Sequence, residues 1–145
     1  MTNIEMLKDL TQTTRDSVDG YRKAAEKAES PALKSALERR RDSRAQTLSS
    51  LNRALIDNGE EAVTSESMSR QAHELFTSIT DAFSQGDSAV VERIEEGEDY
   101  IAGKFKDALE DDAKMAPEFR IVVAAAYKDI REGERFTDML TEQHA

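Results

Sequence analysis

The sequence has 145 residues, of which 38% are hydrophobic and 34% are charged, and its formal net charge is −10. A chain of this length is typical of one domain, and we expect a single domain over residues 1–145. A surface so negative repels nucleic-acid phosphates and anionic membranes, so neither is an expected partner. The absence of cysteine excludes disulfides, thiolate metal sites and thiol nucleophiles.

The first ten residues, MTNIEMLKDL, are already charged and amphipathic, without an apolar run of signal-peptide length. The longest apolar stretch, IVVAAAY at residues 121–127, is too short to cross a bilayer. These two patterns predict a cytoplasmic protein.

The first half of the chain has the pattern of two amphipathic helices. Core-type residues recur at steps of three and four along residues 4–28, which predicts the first helix. Pro31 fits the first turn of a second helix with Ser30 as its N-cap. This second helix carries leucines along one face, and such a line of core-type residues is called its seam. The helix is predicted to end near Gly59.

Three further helices are predicted after a polar linker. The seam of a shorter helix consists of Met68, Ala72, Leu75, Ile79 and Phe83. A helix over residues 88–112 follows, with Asp87 or Ser88 as its N-cap, and Pro117 opens the last helix. No stretch alternates with the period of two that a strand requires, so the sequence predicts an all-α protein.

The lengths of these segments predict how the helices pack. The four long ones have about 24–28 residues each, or about 36–42 Å. They would form two long hairpins, residues 3–58 and 88–143, joined by the shorter helix, which is how a bundle with one crossover is built. A helix face left over when such a bundle closes favours a homodimer, and the sequence identifies no other protein partner.

Three charged residues occupy positions where the helical periodicity predicts apolar side chains. Glu98 lies on the stripe of the fourth predicted helix, and Arg41 and Arg44 face inward on the second. A carboxylate in that position has three explanations: a metal ligand, a catalytic acid, or half of a buried ion pair. Gly97 and Gly103 flank it, and each glycine inside a helix lowers helix stability by about 1 kcal/mol relative to alanine. The usual explanation for accepting this cost is the close approach of a neighbouring helix.

The ion pair is the explanation that the residues favour. The second helix is basic and the fourth is acidic. If the two helices are parallel, Arg41 lies at the level of Glu98, and we also predict energetic coupling between Arg44 and Glu98. A paired guanidinium and carboxylate tolerate burial. Arg41, Arg44 and Glu98 are therefore predicted to be structural core residues, in a protein with no cofactor and no enzymatic activity.

The alternative is a carboxylate-bridged metal centre. A di-iron site in a helix bundle needs inward glutamates from two helices and a Glu-x-x-His pair from each of the other two. Neither His73 nor His144 has a glutamate three residues before it. If iron or manganese is nevertheless bound, with oxidase-like or iron-handling activity, the candidate ligands are Glu98, Glu95, Glu38, Asp129 and Glu132.

Three stretches resemble a known family: RDSVDGYRKAAEKAESPALKSALERR, IEEGEDYIAGKFKDAL and APEFR. They are similar to the proteobacterial ferritin-like four-helix-bundle proteins of unknown function. The most specific matches are Asp19-Gly20-Tyr21, Gly97-Glu98-Asp99 and the two proline breaks. The resemblance implies a ferritin-like bundle in a bacterial cytoplasm, a stress-related role, and Glu98 as the carboxylate closest to a ferritin-like ligand.

Overall fold

The computed structural model describes residues 2–64, 70–110 and 115–143. Within these ranges the chain forms five α-helices and one short 3-10 turn, with no β-strand. They are α1 (Asn3–Lys27), α2 (Pro31–Asp57), α3 (Arg70–Ala82), the turn Phe83–Gln85, α4 (Asp87–Glu110) and α5 (Pro117–Gln143). The prediction of an all-α protein is confirmed. None of the described helices is both long and apolar enough to cross a membrane.

The predicted helix boundaries are largely confirmed, although Asp87 is not the N-cap of its helix. Ser30 caps α2 by accepting a hydrogen bond from Leu33 N, and Pro31 occupies the first turn. Gly59, which ends α2, has a positive φ of 80° that favours glycine. Asp87 was predicted as an N-cap, but it is the first residue of α4. Its carboxylate accepts the Ser30 N–H at 3.3 Å, which joins the start of α4 to the α1–α2 turn.

The short helix α3 covers one side of the molecule, against α1 and α4. Ile79 is buried and Phe83 packs against the same cluster, as their seam positions predicted. Met68 lies outside the described residues, as do the side chains of Ala72 and Leu75.

The long helices pack as two antiparallel hairpins, α1 with α2 and α4 with α5. Further contacts join α2 to α5 and α1 to α4, so α2 and α4 lie diagonally across a common core. The first halves of α2 and α4 share one hydrophobic cluster and their second halves share another. The two helices are therefore parallel, which is the condition under which the sequence placed an arginine of α2 at the level of Glu98.

Two hydrophobic clusters fill the core at successive levels. The Leu37 cluster contains Tyr21, Ala24, Ala25, Leu33, Leu37, Ile79, Ala82, Val90, Val91, Ile94 and Leu140. The Phe105 cluster contains Leu7, Leu10, Leu51, Leu55, Ile101, Ala102, Phe105, Met115, Phe119, Val123, Ala126 and Ile130. Arg44 lies between the two levels on α2 and Glu98 lies between them on α4, and both are buried. The core is thus divided by a charged layer.

Candidate functional site

The centre of the charged layer is a two-point ion pair between Arg44 and Glu98. Arg44 Nη1 donates to Glu98 Oε1 at 3.0 Å, and Arg44 Nη2 donates to Glu98 Oε2 at 2.8 Å. The two side chains are 0% and 3% exposed. Parallel hydrogen bonds between a guanidinium and a carboxylate are strong and directional because both partners are charged. The pair therefore fixes α2 against α4 across the diagonal of the core.

Helices α1 and α5 complete the hydrogen bonding of the pair. The Tyr21 hydroxyl of α1 donates to Glu98 Oε1 at 2.7 Å, and Arg44 Nη1 also donates to Ser17 Oγ at 2.6 Å. Arg44 Nε donates to Asp129 Oδ2 on α5 at 3.0 Å. The guanidinium carbon lies 5.6 Å from the centre of the Tyr21 ring, within range of a cation–π contact. All four long helices therefore contribute to one network.

Asp129 is the second carboxylate of this network. Its Oδ1 accepts hydrogen bonds from Ser43 Oγ at 2.8 Å and from Arg40 Nη2 at 3.0 Å. Arg40 Nη2 also donates to the Asp129 carbonyl oxygen at 3.2 Å. The side chains of Arg40 and Asp129 are each 12% exposed. Two guanidinium groups thus face two carboxylates, and the formal charges of the layer cancel.

The surroundings fix the charge state of these groups. Burial by itself would lower the pKa of Arg44, but Glu98, Tyr21 and Asp129 outweigh it and hold that pKa above its ordinary value. Burial would raise the pKa of Asp129, yet Arg44, Ser43 and Arg40 hold it below its ordinary value. Burial, and then Glu98, raise the pKa of Tyr21 well above 10.0. Arg44 and Asp129 are therefore held in their charged forms, and Tyr21 is held in its neutral form.

Gly133 of α5 leaves the space in which the ion pair sits. Gly133 is buried, and a β-carbon added to it would come within 2.5 Å of Arg44 Nη2 and inside van der Waals contact of Glu98 Oε2. Any larger residue would have to move an atom that is already hydrogen bonded. The sequence prediction favoured close approach at Gly97 and Gly103; at Gly103, an added β-carbon would meet nothing within 4 Å.

The prediction that Arg41 faces the core is wrong. Its side chain is 31% exposed and pairs at 2.9 Å with the adjacent Asp42. The buried residues of α2 include Leu37, Arg44 and Leu51, which repeat every seven positions and so stay on one face. Arg41 precedes Arg44 by three residues, which turns its side chain about 60° away from that line. The arginine at the level of Glu98 is therefore Arg44.

Two of the five candidate metal ligands, Glu98 and Asp129, lie in the charged layer and are already bound by arginine. Of the other three, Glu95 is half-buried and accepts a hydrogen bond from Thr141 Oγ1, Glu38 is half-buried, and Glu132 is exposed. Among the described residues, no three acidic or histidine side chains are grouped as a metal ion requires. His73 is exposed, and His144 lies outside the described residues.

Sequence reasoning missed the roles of Ser17, Arg40, Asp129 and Gly133 in this network. Asp129 was considered only as a flanking metal ligand. One signal is present in the spacing: Arg40 and Arg44 are four residues apart on α2, as are Asp129 and Gly133 on α5. Residues four apart share a helix face, so each pair points the same way.

Replacement of Tyr21 by phenylalanine tests the hydrogen bond to Glu98. Tyr21→Phe should lower the free energy of unfolding at pH 7 by about 2 kcal/mol, since hydrogen bonds to charged groups contribute about 1.5–3 kcal/mol. The folded pKa of Tyr21 lies above the unfolded value near 10.0, so this stabilisation is complete below pH 10 and is lost as the pH rises further. Urea unfolding at a series of pH values measures the difference between the two proteins.

The difference between the wild type and Tyr21→Phe should shrink above about pH 10. Tyr100→Phe is the control, because Tyr100 lies outside the charged layer and beside Lys104. A difference that stays constant across the alkaline range would contradict the assignment of a raised pKa to Tyr21.

One family model matches the chain over residues 2–111, and it is described as a domain of unknown function (DUF2383). The matched range includes α1 to α4, and hence Tyr21, Arg44 and Glu98. It ends before α5, which supplies Asp129 and Gly133. None of the curated proteins matches the sequence. Since the match extends over most of its length, the chain belongs to the family of the domain of unknown function DUF2383.

Proposed function

We propose that this protein is a non-enzymatic, ferritin-like helical bundle in which an arginine–glutamate ion pair takes the position of a di-iron site. The observation that carries the proposal is the two-point contact of Arg44 with Glu98, at 2.8 and 3.0 Å, inside the core. The helix order supports the ferritin-like part: two antiparallel hairpins with α2 and α4 parallel, joined through the shorter α3. That is the connectivity expected of a bundle with one crossover.

The chemistry of the charged layer disfavours an imported cation. Both oxygens of Glu98 already accept hydrogen bonds from Arg44, and Oε1 accepts another from Tyr21. A metal ion bound to Glu98 would displace a guanidinium that is 0% exposed and would leave its charge without that partner. Removing one partner of a buried ion pair typically costs about 3–5 kcal/mol. The layer is therefore better suited to hold the helices in register than to bind metal.

If the centre has only this structural role, the biological activity belongs to the surface, through contacts with other proteins. The resemblance of the sequence to ferritin-like bundle proteins supports a cytoplasmic location and a stress-related role. Both belong to the proposal.

Metal analysis of the purified protein tests the proposal. The wild type and Glu98→Gln would each be produced in cells supplemented with iron and manganese, and their metal content would be measured by inductively coupled plasma mass spectrometry. We expect far less than one metal ion per chain in both, with Glu98→Gln differing only in lower stability. Glu92→Gln, which changes an exposed carboxylate that is not among the candidate ligands, is the control for surface binding.

The opposite result would establish the alternative function. Iron or manganese near one or two ions per chain, lost on Glu98→Gln and retained by Glu92→Gln, would mean that the layer rearranges to bind metal. The protein would then be an iron- or manganese-binding carboxylate protein with oxidase-like or iron-handling activity, and the proposal would be wrong.

A further inference from the structure

The outer face of α5 carries two of the exposed large hydrophobic side chains of the described residues. Ile121 is 71% exposed and Met139 is 60% exposed. They lie about five helical turns apart, so they have the same direction around the helix and are separated by about 27 Å. The short helix α3 packs on α1 and α4, so it leaves this face of α5 open. Two isolated apolar side chains do not by themselves make an interaction surface, so the charges that lie between them decide whether this face is one.

Two of the charged residues between them are placed symmetrically about the middle of this segment. Ile121 and Met139 are equally distant along the helix from Ile130, and so are Lys128 and Glu132, which carry opposite charges. At 100° per residue, Lys128 and Glu132 fall about 20° to either side of the line from Ile121 to Met139. Both are exposed. This set of four residues is here called the α5 strip.

A two-fold axis level with Ile130 pairs the α5 strip with itself. When two copies of a helix pack antiparallel about such an axis, each residue before the midpoint faces the residue equally far beyond it in the partner. Ile121 then meets the partner's Met139, and Lys128 meets the partner's Glu132, each twice. Hydrophobic contacts and opposite charges coincide in one register, which is the self-complementarity that an isologous interface requires.

We infer that the protein forms a symmetric homodimer through the α5 strip, with a second copy of this chain as the occupant of the face. The inference is independent of the charged layer and of the proposed function, because none of the four residues takes part in the ion-pair network.

Charge exchange between two variants tests the register. Lys128→Glu places two glutamates opposite each other, and Glu132→Lys places two lysines opposite each other. Each variant alone should weaken dimerisation at least about tenfold. In an equimolar mixture, every contact between the two kinds of chain again joins opposite charges, so heterodimers should form at wild-type strength. Sedimentation velocity at about 1–100 μM follows the equilibrium between the 16.2 kDa protomer and twice that mass.

Matched controls separate the α5 strip from the rest of the surface. Lys106→Glu makes the same charge change on α4, where Lys106 is 64% exposed, and should leave the dimer unchanged. Ile121→Arg should abolish the dimer, whereas Ile56→Arg, at a residue that is 57% exposed on α2, should not. Circular dichroism confirms that each variant is folded.

Disulfide formation gives a second readout, since the natural chain has no cysteine. In Ile121→Cys/Met139→Cys, the two thiols of one chain are about 27 Å apart and cannot pair with each other. In the proposed dimer, mild oxidation joins the two chains by two disulfides. The product is then one discrete dimeric species on a non-reducing gel. A monomeric wild type at about 100 μM, a dimer insensitive to the strip variants, or a ladder of larger oligomers on oxidation would each overturn the inference.

Discussion

Glu98→Gln is expected to lower the free energy of unfolding by about 3–5 kcal/mol, because it removes one partner of a buried ion pair. The neutral amide no longer balances Arg44, whose remaining charged partner is Asp129 at 3.0 Å. Arg44→Met should cost a similar amount, since it leaves the Glu98 carboxylate buried without its guanidinium. Urea unfolding followed by circular dichroism measures both changes.

The double variant Arg44→Met/Glu98→Leu, compared with the single variants Arg44→Met and Glu98→Leu, decides whether the two residues act as a pair. Replacing a whole buried pair by apolar side chains is often neutral or stabilising, so the double variant should be more stable than the sum of the two single changes implies. We expect a coupling energy of about 2 kcal/mol or more. Strictly additive effects would contradict the contact.

Arg41 and Asp42 supply a matched control on the same helix. Their side chains are 31% and 66% exposed, and they form a surface pair. Arg41→Met and Asp42→Asn should each change the free energy of unfolding by less than about 1 kcal/mol, as is usual for exposed ion pairs. A large loss on Arg41→Met would contradict the placement of Arg41 at the surface.

Gly133→Ala is expected to destabilise the protein by about 1–3 kcal/mol, as overpacking of a filled core does. The added β-carbon would collide with Glu98 Oε2 and Arg44 Nη2. Those atoms are the ends of side chains, but each is hydrogen bonded inside the core and moves only by breaking the ion pair. This loss outweighs the gain of about 1 kcal/mol in helix propensity from glycine to alanine. Thermal and urea unfolding measure the net effect.

Gly103→Ala is the control, with an effect of opposite sign. Gly103 is exposed on α4, and an added β-carbon meets nothing within 4 Å. The substitution should therefore stabilise the protein by about 0.5–1 kcal/mol through helix propensity alone. In addition, Glu98→Asp shortens the carboxylate by one methylene and should relieve part of the cost of Gly133→Ala. If Gly133→Ala stabilises the protein as Gly103→Ala does, the close packing against Gly133 is refuted.

The local pattern of this chain was sufficient to predict its helices. Periodicity at steps of three and four, the Ser30–Pro31 start of α2 and the glycine at its end determined where the long helices lie, because these signals act within one or two turns. The two hairpins joined by a long connection were also predicted, and the structure shows that α2 and α4 are parallel within this arrangement.

The composition of the charged layer could not be predicted in the same way. Glu98 was identified because it interrupts an apolar stripe, whereas Asp129 flanks its seam and looks like an ordinary surface carboxylate. Its partners Arg40 and Ser43 lie on another helix, and they face it only because α2 packs against α5. The choice of Arg44 over Arg41 depends on a rotation of about 60° around α2, which is smaller than the error of a seam drawn from sequence.

The sequence by itself determined that this is a helical chain with charge inside its hydrophobic seams, because periodicity and charge are properties of each segment alone. Only the tertiary structure decided which charges meet. Guanidinium and carboxylate groups pair over about 3 Å, so the level and rotation of one helix relative to the next select the partners. The need for glycine at position 133 also depends on the tertiary structure, because the ion pair between α2 and α4 fills the space that a side chain would occupy.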